Sequence, residues 1–206
     1  VGSEMCIRDR IGPSTQCLVL CNNLLRATDH LKVIRTVVDD VHRANNISIE
    51  VALAVGNSLN RICNREAEET FTYSLPDSTD NSFHNTALGK AYLSTLPQEQ
   101  LQARINSMEL VARTEKTITD KAVLLKEIEA AKKQQFAMTE EEYLPGLLAI
   151  AAPIYDPVSG VGIGAVSLDF SIMQHTSQEI QEKYSELVKQ IAIRLSSFCS
   201  PDMISK

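Results

Sequence analysis

The clearest alternation in the chain is ISIEVALAV, residues 47–55. Ile47, Ile49, Val51, Leu53 and Val55 alternate with Ser48, Glu50, Ala52 and Ala54. That period of two marks a strand with one bulky apolar face and a second face that is smaller and partly polar. Gly56-Asn57-Ser58 reads as a turn, SLNRICNRE as its hairpin partner, and ETFTYSL (69–75) as a third strand. Upstream, residues 29–45 place Ile34, Val37, Val38 and Val41 at helical spacing. Residues 14–26 read as an earlier helix. Past the turn-rich Pro76–Ser82 segment the period returns to that of a helix. One helix is expected from Thr86 to Thr95, carrying Ala87, Ala91 and Leu93 inward. Pro97 suits the first turn of the next, which carries Leu101 and Ile105. Thr119 or Asp120 caps a third that runs to Gln134, with Leu124, Leu125, Ile128 and Ala131 inward. GLLAIAAPIYD (146–156) and VGIGAVSLDF (161–170) predict two strands joined by a hairpin turn over 156–160. Thr176-x-x-Glu179 is a capping box for a final helix striped by Ile180, Tyr184, Leu187, Ile191 and Leu195. Strands joined by short turns and interleaved with amphipathic helices predict an α+β domain with a central antiparallel sheet.

Composition narrows the class. The 206 residues suit one domain with an appended helix. A net charge of −6 and a pI near 5.3 exclude a general electrostatic attraction to nucleic acid or an anionic membrane. No apolar run approaches the roughly 18 residues of a membrane helix. The five cysteines, Cys6, Cys17, Cys21, Cys63 and Cys199, show neither zinc spacing nor a disulfide framework. They point to a reducing, cytoplasmic setting. Cys17 and Cys21, at i and i+4, are expected as buried small hydrophobes. The opening VGSEMCIRDR has no structural period and is not a signal peptide. Its first nine residues back-translate as GTG GGC TCG GAG ATG TGT ATA AGA GAC, the read-through of a transposase sequencing adapter. Residues 1–10 are therefore expected to be a non-native leader on a truncated chain.

Motif chemistry is sparse. Gly160-Val161-Gly162-Ile163-Gly164 leads into a strand rather than a helix, so its glycines serve a turn and close backbone approach, not a phosphate. Gly89-Lys90 is no P-loop, since His84 stands at the first glycine and Ala91 at the Ser or Thr. His30, His42, His84 and His175 are scattered without a triad motif and read as surface histidines. Thr139-Glu140-Glu141-Glu142 reads as a solvated loop or strand end, and carboxylates alone are weak metal ligands. Ser167 and Asp169 share one face of an apolar strand, a polar pair that wants a ligand, a water or a backbone partner.

Two segments together resemble the IclR-type transcriptional regulators. Asn85-Thr86-Ala87-Leu88-Gly89-Lys90-Ala91-Tyr92-Leu93, followed by Leu96-Pro97, is similar to that family's "tA.GKA.LA.LP" stretch. Glu142, Ala149, Ile150, Ala151, Ile154, Tyr155 and Asp156 fall on the family signature in register, whereas Gln135 and Thr139 replace its small residue and its Asp or Ser. AVSLDF resembles the strand that the family writes as A-aliphatic-S-aliphatic-S-G-P. The likeness runs from about Ile11 to Ser197.

The resemblance implies a GAF-like effector-binding domain over 27–200, a linker helix over 11–26 and a tail over 201–206. It implies a winged helix-turn-helix domain ahead of Ile11 that alone would touch DNA. It also implies a homodimer or tetramer, no cofactor or metal, no membrane contact and no catalysis. Effector contacts carried across fall on Ala87, Leu88, Thr139, Ala149, Ser167 and Asp169. Family members that bind small oxo-acids place Ser at the Asp169 position, and an Asp there repels a carboxylate. The expected effector is therefore a polar metabolite that turns a hydroxyl, amine or amide to Asp169, such as a sugar acid or an amino acid derivative. An enzyme on the same scaffold and a ligand-free dimerisation module are the alternatives.

Overall fold

The computed structural model describes residues 31–56, 58–68 and 82–198. The expected helix at 14–26, the strand at 69–75, the leader, the tail, Cys17, Cys21 and His30 lie outside the described residues. Within them, five helices and five strands run in the order α1 (31–45), β1 (Ser48–Val55), β2 (Ser58–Arg65), α2 (Ala87–Leu93), α3 (Gln98–Ser107), α4 (Lys121–Gln134), β3 (Ala137–Glu140), β4 (Leu147–Tyr155), β5 (Gly162–Ser171) and α5 (Ser177–Ser196). The strands form one antiparallel sheet, ordered β2-β1-β5-β4-β3.

Period-two patterning gives this sheet two unlike faces. On one, Ile49, Val51, Leu148, Ile150, Ile154, Val166, Leu168 and Phe170 pack with Ile34, Val37 and Val38 of α1 and Ile180, Tyr184, Val188, Ile191 and Leu195 of α5. On the other, the strands present Ala52, Ala54, Ala137, Ala149, Ala151 and Ala165 to α2, α3 and α4. Small side chains let α2 lie close over β4 and β5.

Local signals set the element ends. Asp120, not Thr119, caps α4 and accepts from Ala122 N at 2.7 Å and Val123 N at 3.0 Å. Thr176 and Glu179 close the capping box of α5, with Glu179 Oε2 accepting from Thr176 N at 2.8 Å. Val188 faces the core fully and Leu187 only partly, because the buried stripe drifts as it climbs the helix. Pro97 stands one residue before α3, at its N-cap, and donates no N–H there. The β4–β5 turn is an Asx turn: Asp156 Oδ1 accepts from Val158 N at 3.3 Å, Oδ2 accepts from Ser159 N at 2.7 Å, and Gly160 sits at φ +69°. At Gly164 an added Cβ would lie 2.2 Å from the Ala52 carbonyl, so β1 and β5 pair closely only with glycine there.

Candidate effector pocket

Strand register builds the floor of a cavity. Glu50 lies opposite Ser167, and Asp169 lies between Ser48 on β1 and Ala149 on β4; Ala149 in turn pairs with Thr139 on β3. Residues directly paired share a face, so Glu50, Ser167, Asp169, Ala149 and Thr139 all point to the α2 side. The start of α2 forms the roof. Thr86 Oγ1 accepts from Gly89 N at 3.1 Å and donates to the Ser82 carbonyl at 2.8 Å, which fixes where the helix begins. Gly89 then presses on Phe83 so closely that a Cβ would stand 2.4 Å from the Phe83 Cα.

The side wall comes from the β3–β4 turn. Glu141 holds φ at +57° and its Oε1 accepts from Gly146 N at 2.7 Å. Thr114 and Thr117 donate their hydroxyls to the carbonyls of Glu141 and Glu142, each at 2.6 Å. Lys116 bridges Glu140 and Glu141, 2.6 Å from each. Fastened in this way, the turn delivers Tyr143 and Leu147 to the cavity.

The space so enclosed is lined by Glu50, Thr86, Ala87, Leu88, Thr139, Tyr143, Leu147, Ala149, Ser167 and Asp169. All six residues carried across from the family resemblance meet here. Glu50, Thr86, Tyr143 and Leu147 were not among them. Glu50 carried a signal in the sequence: it is the one acid on a strand face otherwise made of Ser48, Ala52 and Ala54. The cavity holds about 420 Å³ of empty space with its mouth included, of which only about 30 Å³ admits the centre of a water molecule. That inner room suits about two waters, so a larger guest must push α2 or the turn outward.

Electrostatics sharpen the site. Burial pushes the Asp169 carboxyl up to about 6, against the lowering effects of the Ser167 hydroxyl bond and the Arg61 charge. Asp169 also borders a second, more open cleft with Asn46, Glu68, Gln174 and His175. Behind the roof, Lys90 is 1% exposed and ion-paired to Glu142 Oε1 at 2.6 Å and Glu127 Oε2 at 3.5 Å. Burial raises the Glu142 carboxyl, with Lys90 and a hydrogen bond from the Ile118 backbone opposing. The acidic run is thus not uniformly solvated: Glu140 is exposed, whereas Thr139 and Glu142 are buried. This bridge joins the GKA segment to the signature glutamate, two motifs 52 residues apart.

The histidines correct a second expectation. His84 is fully buried, with Nε2 3.1 Å from the Val111 carbonyl, and burial lowers its pKa. Partly buried His42 places Nδ1 3.0 Å from the Ile47 carbonyl, and His175 packs edge-on against Phe170. Among the described residues, no histidine lines the cavity and no group of three or more His, Cys, Asp or Glu side chains is placed to hold a metal. Nor is any of their helices long and apolar enough to cross a membrane.

The sequence matches the family "Bacterial transcriptional regulator IclR C-terminal" over residues 22–197. It is 29% identical over 150 residues to the HTH-type transcriptional repressor AllR of Escherichia coli K12, covering 73% of this chain and 55% of that protein. The chain thus spans about half the length of the curated relatives it matches. The fold is that of the Thermotoga maritima IclR crystal structure, with a TM-score of 0.74 at 24% identity, covering 87% of this chain and 73% of that one. The inducer-binding domain of the Acinetobacter transcription factor PobR, in complex with 3-hydroxybenzoic acid, shares it too, with a TM-score of 0.70 at 20% identity, covering 80% of this chain and 96% of that one.

Proposed function

Since the chain belongs to the IclR family of bacterial transcriptional regulators, we propose that residues 27–200 sense a small polar metabolite in the cavity between α2 and the sheet. One observation carries this reading: ten residues from six separate segments converge on a single half-enclosed, largely apolar space with a few polar groups at its floor. Asp169, Ser167 and Thr139 supply those polar groups. Leu88 and Ala149 supply apolar wall, and the N–H groups of Ala87 and Leu88 open the first turn of α2, where no helical carbonyl meets them.

The tightness of the inner room supplies a mechanism. A guest larger than two waters binds the state with α2 displaced better than the state described here, and so shifts the population between them. Lys90 carries that displacement to α4 and the β3–β4 turn through Glu127 and Glu142. A regulator of this design reads its operator through a winged helix-turn-helix domain outside this chain, works in the cytoplasm, and passes the signal through self-association. Catalysis finds little support, because no described nucleophile in the cavity has a histidine or lysine beside it.

The test is thermal unfolding against a panel of small acids, sugars and amino acids. A ligand at about 100 times its Kd adds roughly 2.7 kcal/mol, which is about 5–10 °C for a chain of this size. Ala149→Val narrows the cavity at its floor and is expected to shrink the shift while leaving the fold intact. A ligand that stabilises wild type and Ala149→Val equally binds elsewhere and overturns the assignment.

A further inference from the structure

We infer that the side chain of Tyr143, backed by Arg113, is the gate and size filter of the cavity: a guest enters there, and that part of the wall yields to it. The inference rests on reading the cavity as the effector pocket and deepens it to an entry route and a specificity-setting residue. Tyr143 lines the cavity from the β3–β4 turn and is only 5% exposed. The guanidinium carbon of Arg113, an exposed residue, stands over its ring, 4.6 Å from the centroid. The ring is thus the partition between the cavity and a side chain that lies in water.

The rest of the wall is better fastened. The floor is sheet interior, with β5 paired to β1 on one edge and β4 on the other. Helix α2 presses on Phe83 at Gly89 and is tied through Lys90 to Glu142. The 111–117 segment laces roof to side wall. Its Val111 carbonyl lies 3.1 Å from His84 Nε2, just ahead of α2, and its Thr114 and Thr117 donate to the Glu141 and Glu142 carbonyls. The Tyr143 side chain has no tie of this kind. Among the described residues its hydroxyl has no hydrogen-bond partner and Arg113 makes no ion pair. Packing and one cation–π contact hold the ring, and such a contact is weak at an exposed site. A side chain changes rotamer far more readily than a packed element moves.

A ring that turns aside also relieves the tightness of the inner room. The space it vacates joins the cavity, and a guest that fills this space keeps Arg113 unstacked. Small guests let the ring close behind them, and larger ones hold it open. The size of residue 143 therefore sets the size of guest admitted. Asp169 offers the competing route, since it borders both this cavity and the second cleft. A guest arriving by that cleft would not meet Tyr143.

The experiment places a thiol on the floor, Ala149→Cys, and follows its modification by methyl methanethiosulfonate in the whole chain, read at that peptide by mass spectrometry. Cys63, buried on the opposite face of the sheet, is read in the same digest as the measure of general loosening. Arg113→Met is expected to speed labelling at position 149 about two- to fivefold, and Tyr143→Ala about tenfold or more, with Cys63 unchanged. Tyr143→Phe, which keeps the ring, is expected to return most of the protection. The bulkier benzyl methanethiosulfonate is expected to gain more from Tyr143→Ala than the methyl reagent does. Equal rates with and without the Tyr143 ring overturn the gate and favour the Asp169 route. A rise that Cys63 shares in every variant also overturns it, as loosening of the whole fold. Labelling needs no effector, so the pocket reading is judged separately, by the ligand panel and Ala149→Val.

Discussion

Asp169 is a carboxyl held where a carboxyl is uncomfortable. Its folded value of about 6 lies above its ordinary 3.8, so the folded state holds the proton more tightly than the unfolded chain. The cost is absent below about pH 3.8, grows as pH rises through 6, and is complete near pH 7. Asp169→Asn is therefore expected to stabilise the chain at pH 7 by about 1–3 kcal/mol, and to change little near pH 4. Urea unfolding at the two pH values measures the difference. The groups around Asp169 are Glu50 on β1, Arg61 on β2, and Glu68 and His175 across the neighbouring cleft, so the profile is best compared between variants. Equal stability of the two proteins at pH 7 would contradict the burial argument. Asp169 was legible beforehand as a polar residue on a core strand. Glu50 was passed over, because a glutamate in an alternating strand ordinarily faces water, and only the helices laid over that face bury it.

At the scale of elements, α2 is a short helix held by what surrounds it. Gly89→Ala sets a Cβ against the Phe83 backbone, which has no flexible side chain to yield. It is expected to cost more than the usual 1–3 kcal/mol of overpacking, read as a lowered urea midpoint and lost ligand response. The Lys90–Glu142 bridge tests the same docking electrostatically. Lys90→Met leaves Glu142 buried without its cation, at a cost of about 3–5 kcal/mol. Adding Glu142→Leu should recover much of that loss, and a double-mutant cycle by denaturant unfolding measures the coupling. Helix α4 offers the opposite sign. Gln135 closes it in the left-handed region, at φ +64°, where the family signature keeps a small residue. Gln135→Gly is expected to raise stability by about 1 kcal/mol. Helix positions followed from their stripes and caps. The bridge did not, because no local period links residues 52 positions apart.

Across the whole molecule, the two faces of the sheet differ in kind. The α1–α5 face joins large branched and aromatic side chains, while the α2–α4 face meets alanines and a cavity. A ligand that stabilises the chain is expected to slow amide hydrogen exchange in α2, α4 and the 141–147 turn, and to leave α5 nearly unchanged. Protection spread evenly over both faces would argue for global stabilisation alone. The architecture was legible from alternation and caps. The cavity was legible through its six family positions, whereas Tyr143 and Leu147 depend on a turn fastened by Thr114 and Thr117, contacts that chain order does not announce.

The alanine floor has a further consequence. Ala149 is the place on it where a larger side chain grows into the guest's space without touching the opposite face, where most of the bulky packing resides. The sheet behaves as a party wall between two tenants, one keeping the building upright and the other free to refurnish. Lineages built on this plan are able to trade one metabolite for another by single substitutions, at small risk to the structure next door.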